Sequence, residues 1–283
     1  MSNLGFHCHD VHLLEELITG NDLKRGEFYN LPPDDLGELR RLIDKHGLDW
    51  SIHAPLVQLD WYPQPPTWSF LCDVDRDRRE LTIKMITFTV EQAAEFGAGY
   101  VVVHFPSPSS DSTPHESPAK LEAIAWRSCE RIAELSVKKK VAIHVEGVGA
   151  SDLITAGFLS AVLKEFSPLR YCLDTAHSYL AAQHNELDLY DFEAALLPYL
   201  GSVHLWNLRG WDDYHAFRHV PVHPSQRPED GWVDIARVLK ALGPARDALP
   251  IIFESERVYP RELGNHDYRE GVQWVKELLR TSS

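Results

Sequence analysis

Short runs of apolar and β-branched residues alternate with longer helical patterns along the whole chain. The short runs predict strands at 4–8, 26–29, 49–54, 99–104, 141–146, 170–174, 202–205 and 250–254. Between them, apolar residues about three or four positions apart predict helices at 33–46, 75–96, 118–139, 153–166, 187–199, 233–242 and 266–280. Alternating strands and helices form parallel sheets, and eight such strands close a barrel. The pattern therefore predicts an α/β fold, a single (β/α)8 barrel.

The length and composition agree with one globular domain over residues 1–283. The chain is 44% apolar and 25% charged, which are ordinary values for a globular protein. An α/β barrel uses about 250 residues for one domain. The sequence shows no Pro/Gly linker between two cores and no internal repeat. We therefore expect a single domain.

The charge and the cysteines restrict the class of protein. The formal net charge is −14 with neutral histidine, which repels phosphate backbones and anionic lipid and argues against nucleic acid as a partner. No run of about 20 apolar residues is present to span a bilayer, and the N-terminus lacks the pattern of a signal peptide. The four cysteines have neither CxxC spacing nor a disulfide-dense pattern. We expect a reduced, cytoplasmic, soluble protein, and the sequence leaves open whether it forms a homodimer.

Three long irregular stretches follow predicted strands, at 55–74, 105–117 and 207–231. In a barrel, such loops lie on the C-terminal face, where barrel enzymes build their sites. Aromatic residues crowd two of these loops, and their rings either pack against a sugar or planar ligand or fold the loops onto the barrel rim. We expect one or two of them to line a pocket, with Trp61 and Trp206 as candidates.

Six successive strands end on a residue that can bind a metal ion. They are His53, His104, Glu146, Asp174, His204 and Glu254. Each alone has an ordinary explanation, as a hydrogen-bonded core histidine or as a carboxylate that caps the next helix. Six such groups around one axis would cost several kcal/mol for each unpaired charge, and a divalent cation removes that cost. The sequence therefore predicts a metal centre.

The predicted ligands contain no sulfur. Mixed nitrogen and oxygen ligands suit Zn, Mn, Co or Fe, whereas Mg and Ca prefer oxygen alone; we expect Mn or Zn. His177, three residues after Asp174, is a further candidate in the loop after its strand, as a ligand, a substrate contact or an orienting group.

Other histidines have more than one interpretation. His219 and His223, in the segment RHVPVHP, are either ligands of another metal, substrate contacts or solvated loop residues. His144 stands two residues before Glu146 and points the same way but deeper in the barrel, so we expect it to be structural.

Several motifs together resemble the xylose-isomerase-like barrel superfamily. They are HAP at His53, VVVHFP, LDTAH, HLWN and the terminal FES, and they cover residues 4 to 254. This superfamily includes sugar isomerases and epimerases, and also the endonuclease IV group of abasic-site nucleases. The DTAH motif with the ordered series of strand-end residues is specific to the superfamily and much less specific to one activity.

For the sugar epimerases, the resemblance implies one divalent metal, often Mn, with His177 near the substrate. The metal would be held by Glu146, Asp174, His204 and Glu254. It would bind the carbonyl and adjacent hydroxyl oxygens of a ketose and acidify the neighbouring C–H. Glu146 and Glu254 would take and return the proton through a cis-enediolate. The residues predicted to contact the sugar or polyol are His219, His223, Trp61, Trp206 and Arg218.

For the endonuclease IV group, the resemblance implies two or three zinc ions. His53 and His104 would hold one with Glu146, which would bridge to a second held by Asp174, His204 and Glu254. A third would use His177 and a loop Asp-x-His. His53 and His104 favour this activity, since a single-metal epimerase does not need both.

Two observations oppose the nuclease. Phe217 and Pro221 stand two residues before His219 and His223, so the loop aspartate is missing. The acidic charge also suits DNA poorly. We favour a metal-dependent isomerase or epimerase of a sugar, a sugar phosphate or a related polyol, and keep the nuclease as the alternative.

Overall fold

The computed structural model describes residues 3–105 and 116–281. Eight parallel strands are hydrogen-bonded in sequence order and form a closed barrel. The strands are β1 (Leu4–Cys8), β2 (Arg25–Phe28), β3 (Asp49–His53), β4 (Tyr100–His104), β5 (Ala142–Glu146), β6 (Leu169–Asp174), β7 (Leu200–Leu205) and β8 (Ile251–Phe253). Leu4 of β1 pairs with Ile251 of β8 and closes the barrel. The predicted (β/α)8 barrel is confirmed, and each predicted strand differs from the observed one by at most two residues at an end.

Helices cover the outside of the barrel. In the described part of the chain the α-helices are α1 (Leu14–Leu17), α2 (Leu36–His46), α3 (Arg76–Phe96), α4 (Pro118–Lys139), α5 (Ala156–Glu165), α6 (Thr175–His184), α7 (Leu189–Leu196), α8 (Trp211–Phe217), α9 (Ile235–Ala241) and α10 (Tyr268–Thr281). Side chains before the first turns fix several helix starts, since Asp75 accepts backbone N–H groups of α3 and Ser117 does so for α4. Seven of these helices correspond to predicted ones.

Three helices lie where the sequence pattern predicted none. The α6 helix follows β6 without a loop, and the Asp174 carboxylate caps it by accepting from the His177 backbone N–H. The expectation that His177 lies in a loop is therefore wrong, because the strand-end aspartate starts a helix at once. The α8 helix lies inside the stretch 207–231 predicted as irregular, and the short α1 follows β1. Of the irregular stretch predicted at 105–117, residues 106–115 lie outside the described residues.

The lower half of the barrel contains a polar but neutral layer. The His144 ring stacks on Tyr100 with 4.1 Å between centroids, and its Nδ1 lies 2.9 Å from the Ser202 hydroxyl. Gly201 leaves room for this ring, because a Cβ at that position would lie 2.6 Å from His144 Nε2. Burial lowers the pKa of His144 to about 3, so the imidazole is neutral. These contacts agree with the structural role expected for it.

The described helices include none with the length and apolar character needed to cross a lipid bilayer.

Helix α10 packs directly against the loop after β7. A Cβ at Gly271 would overlap the carbonyl oxygen of Val222. We expect Gly271→Ala to lower the free energy of unfolding by about 1–3 kcal/mol, because either the helix or the loop must move. The control is Gly37→Ala in α2, where a Cβ meets nothing within 4 Å; it should raise stability by about 0.4–1 kcal/mol. Urea unfolding measures both, and equal effects of the two substitutions would contradict this packing.

Candidate metal centre

The six strand-end side chains meet at the C-terminal end of the barrel. His53, His104 and Glu146 offer ligand atoms within 4.8 Å of one another. Glu146 also belongs to a second group at the same spacing, with Asp174, His204 and Glu254. All of these side chains are buried except His104, which is partly exposed. Parallel pairing places the strand ends at one level, as the register of His104 with Glu146 and of Asp174 with His204 shows.

The Glu146 carboxylate lies at the centre of the cluster. Its Oε2 lies 3.3 Å from Nε2 of His53, 3.9 Å from Nε2 of His104 and 3.3 Å from Nδ1 of His204. Its Oε1 is buried without a hydrogen-bond partner. Buried polar atoms nearly always have partners. An unpartnered carboxylate oxygen among these ligand groups is one that a divalent cation would satisfy.

The Asp174 carboxylate is held by two strong hydrogen bonds. Oδ1 accepts from the backbone N–H of His177 at 2.6 Å, and Oδ2 accepts from the indole N–H of Trp206 at 2.6 Å. Trp206 is completely buried and does not line the cavity. Its position opposes the predicted substrate contact and instead makes it an orienting partner of Asp174.

Glu27, a fully buried carboxylate in β2, was not among the predicted site residues. Its Oε2 accepts from the hydroxyl of Ser51 at 2.8 Å, and its Oε1 lies 2.9 Å from Nε2 of His204. The other ring nitrogen, Nδ1, lies 2.6 Å from Oε2 of Glu254. Glu27 therefore favours a proton on Nε2 and directs Nδ1 towards the cluster. The available signal was a charged residue in the middle of a strand, in the run GEFY.

The charges of the cluster are strongly coupled. Burial alone would lower the pKa of His204, but the carboxylates of Glu254, Glu27 and Glu146 raise it well above its usual value. Burial opposes ionisation of Glu146, yet the neighbouring His204 imidazolium holds the pKa of Glu146 well below its usual range. Burial, with the charges of Glu146 and Glu254, raises the pKa of Asp174 far above normal. The imidazoles thus compensate two of these carboxylates and leave Asp174 to be stabilised by added positive charge.

A cavity of about 350 Å³ opens above the cluster. His104, His177, His219 and Glu254 line it, with Trp68, Tyr214 and Arg218 on its outer wall. Burial lowers the pKa of His177 to about 4, so a neutral imidazole faces the cavity. Arg218 is the single cation among the described lining residues. The volume matches the lower range of small-ligand sites, about 300–1,000 Å³.

The structure places some of the residues predicted to contact substrate at the cavity and others away from it. Arg218 and His219 line the cavity. Trp68 and Tyr214 also line it, although they were not among the predicted substrate contacts. Trp61 instead packs edge-on against Phe88 of α3, beneath the Lys84 ammonium. Its position opposes the predicted contact, because the loop turns the ring onto the outer helix.

His223 also lies away from the cavity. It is buried, its Nε2 lies 2.9 Å from the Glu270 carboxylate of α10, and its ring stacks on His266 at 3.9 Å. These contacts join the loop after β7 to α10. They oppose the predicted substrate contact, although the sequence places His223 only four residues from His219.

Comparisons with known proteins show the family and the fold of this chain. A family model described as xylose isomerase-like TIM barrel matches residues 10–278. Similar solved structures include a D-tagatose 3-epimerase-like protein (TM-score 0.72, 18% identity, 99% of this chain and 98% of that chain) and an L-ribulose 3-epimerase (0.72, 16%, 100% and 96%). Endonuclease IV from Thermus thermophilus is also similar (0.64, 20%, 99% and 99%). At these identities the likeness shows the fold alone. Comparison with curated proteins gave no match.

The buried neutral histidines make the stability of the metal-free protein sensitive to acid. Burial lowers the pKa of four imidazoles from 6.5 to about 3 or 4, namely His7, His104, His144 and His177. Below pH 6.5 the unfolded chain binds these protons and the folded chain does not until about pH 4. Each such proton lowers the free energy of unfolding by about 1.4 kcal/mol per pH unit. The carboxyl groups of Asp174 and Glu193, whose pKa values are raised by burial, bind protons in the folded chain before the unfolded chain and offset part of the effect.

We therefore expect the free energy of unfolding to fall between about pH 6.5 and pH 4. Urea unfolding of chelator-treated protein across this window measures it. Constant or increasing stability on acidification would show that these imidazoles are not held neutral.

Proposed function

We propose that this chain, which belongs to the xylose isomerase-like TIM barrel family, is a divalent-metal-dependent isomerase or epimerase of a ketose or related polyol. One observation carries the proposal. Two buried carboxylates from different strands, Glu146 of β5 and Glu254 directly after β8, both face Nδ1 of His204 beneath a cavity of about 350 Å³. Proton transfer at a sugar carbon needs such a pair of bases and a small, sheltered cavity.

Four residues would hold the metal: Glu146, Asp174, His204 and Glu254. The three carboxylates and one imidazole suit Mn or Zn, with Co or Fe as further fits. The raised pKa of Asp174 supports this, because an added cation would favour its ionised form. A bound divalent metal would supply Lewis-acid polarisation of the carbonyl and the adjacent hydroxyl of a ketose, which would acidify the C–H of the carbon that carries this hydroxyl.

The chain's own groups would then move the proton. In the metal-free protein the pKa values of Glu146 and Glu254 lie below the usual range, because the neighbouring imidazolium of His204 outweighs the effect of burial. With His204 as a neutral ligand, the charge of the metal would keep both carboxylates ionised instead. One takes the proton from the carbon beside the carbonyl, and the other returns a proton to the opposite face, which inverts that carbon. Return of the proton to the neighbouring carbon would exchange the carbonyl and hydroxyl positions instead.

The cavity wall would orient the sugar. Neutral His177 has a buried Nδ1 without a partner and is placed to exchange a hydrogen bond with a hydroxyl. Arg218 and His219 offer further polar contacts from the loop after β7. Trp68, 41% exposed at the rim, offers an aromatic face to sugar C–H groups.

A second candidate function is a multi-metal phosphodiesterase. The observation that favours it is the separate group of His53, His104 and Glu146, whose ligand atoms lie within 4.8 Å of one another. This group would hold a second ion, with Glu146 as the bridge. Elemental analysis of metal-loaded protein distinguishes the two, because one ion per chain supports the epimerase and two or three support hydrolysis.

We expect Asp174→Asn to weaken metal binding by at least about 100-fold, since it removes a charged ligand. Glu27→Gln should weaken it by about 10–100-fold, because the neutral amide oxygen of Gln favours a proton on Nε2 of His204 less than a carboxylate does. Both variants should remain folded, since the barrel core is unchanged. Calorimetric titration with Mn measures affinity, circular dichroism checks folding, and His12→Ala, an exposed histidine, is the control.

Unchanged affinity in Asp174→Asn would contradict the proposed metal centre. Unchanged affinity in Glu27→Gln alone would contradict only the orienting role of Glu27.

The reaction itself is tested in heavy water. With enzyme, Mn and a panel of ketoses, deuterium should enter the sugar at the carbon beside the carbonyl. Glu146→Gln and Glu254→Gln should each stop this incorporation, because Gln keeps the shape but is not a base near neutral pH. Each variant is compared at equal metal content, since both residues are also proposed ligands. Cleavage of an abasic duplex without deuterium incorporation into any ketose would overturn the proposal in favour of the phosphodiesterase.

A further inference from the structure

A second cavity adjoins the one above the candidate metal centre. It measures about 310 Å³. We call the first cavity the catalytic lobe; its lining includes His104, His177 and Arg218, which do not line the second cavity. We call the second cavity the distal lobe. The residues that line it and not the catalytic lobe include Phe6, His9, Asp10, Leu13, Leu17 and Arg257. The residues shared by both are His7, Tyr29, His219, Glu254 and Glu256.

Glu254 lies at the junction of the two lobes. The rings of His7 and Tyr29 are stacked at 4.2 Å, and Nδ1 of His7 lies 3.3 Å from Oε1 of Glu254. The other oxygen, Oε2, faces His204 in the candidate metal centre. A sugar carbon in contact with Glu254 therefore lies at the boundary, and a substituent on that sugar has the distal lobe directly beside it.

The lining of the distal lobe suits a neutral ring that carries hydroxyl groups. Phe6, Leu13 and Leu17 form an apolar floor, which suits the C–H face of a sugar. His9, Asp10 and Arg257 supply hydrogen-bond donors and acceptors around it.

The charges of the distal lobe oppose a phosphate. Three carboxylates, from Asp10, Glu254 and Glu256, line it beside one cation, Arg257. That cation is itself 3.6 Å from the exposed Glu16 carboxylate. An anionic group placed there would be repelled at short range.

We propose that the distal lobe is a second sugar subsite, so that the substrate is a glycoside in which a neutral ring is linked to the reacting keto-sugar. This inference rests on the proposed function, because the catalytic lobe must first bind the keto-sugar. The catalytic lobe alone accommodates about one sugar ring, at the low end of the usual range of about 300–1,000 Å³ for ligand sites, and the adjoining lobe adds the space for another.

The test compares free and substituted ketoses in the deuterium assay with the Mn-loaded full chain. The probes are D-fructose, D-fructose 6-phosphate, and two disaccharides that carry a sugar on fructose, lactulose and isomaltulose. We expect kcat/KM for exchange into the fructose unit to be at least tenfold higher with one of the disaccharides than with D-fructose.

Two matched variants test whether the preference for a disaccharide depends on the distal lobe. His9→Trp places a large ring in the distal lobe from an exposed position and should lower the ratio of disaccharide to fructose kcat/KM at least tenfold. Val258→Trp adds the same ring at a 70% exposed position outside both lobes and should leave that ratio unchanged.

The outcomes separate the two proposals. The second subsite is overturned if exchange is as fast with D-fructose as with either disaccharide, or if it is faster with D-fructose 6-phosphate than with either disaccharide. Both results leave the proposed function supported. A disaccharide preference that His9→Trp leaves unchanged also overturns the subsite. Absence of exchange with all four probes overturns this inference; absence of exchange with every ketose of the panel as well overturns the proposed function.

Discussion

Burial of opposite charges around Glu146 is the constraint on which the rest of the site depends. Three imidazoles have a nitrogen within 3.9 Å of its Oε2, and two further carboxylates lie in the same group. The imidazolium of His204 compensates Glu146 and Glu254, whereas the pKa of Asp174 is driven up by burial and by the carboxylate charges. An added positive charge would favour the ionised form of Asp174.

The surrounding shell keeps these side chains in their orientations. Trp206 donates to one oxygen of Asp174, and the first turn of α6 donates to the other. Glu27, in turn held by Ser51, faces the outer nitrogen of His204. Each orienting group lies on a strand or directly at a strand end, where the closed barrel leaves little freedom. Rigid placement of this kind suits a reaction in which two bases must reach the same carbon.

The barrel determines where the chemistry lies, and the segments above it determine what enters. The similar structures include sugar epimerases and an endonuclease at 16–20% identity, so the common scaffold does not by itself select an activity. Under the proposed function, the selection would come from the loop segments that carry Trp68, Tyr214 and Arg218, and from the acidic second cavity beside β1. The carboxylates of this second cavity would favour a small neutral polyol over a phosphate backbone.

The sequence by itself determined the barrel and the ring of six strand-end residues. Apolar runs show where each parallel strand ends, and the pairing of neighbouring strands brings those ends to one level. The identity of His53 or Glu254 as a cluster residue therefore follows from position along a strand, without knowledge of packing.

Only the tertiary structure decided which contacts the side chains outside these six strand-end residues make. Trp61 packs on α3, Trp206 turns inward to Asp174, and His223 joins α10, although all three stand in loops that the sequence placed at the mouth. Side-chain direction in a loop has no fixed period, so it depends on which distant surface the loop packs against. Glu27 was missed for a related reason: its partner His204 is far away in sequence, and only the closure of the barrel brings a carboxylate of β2 against the imidazole of β7.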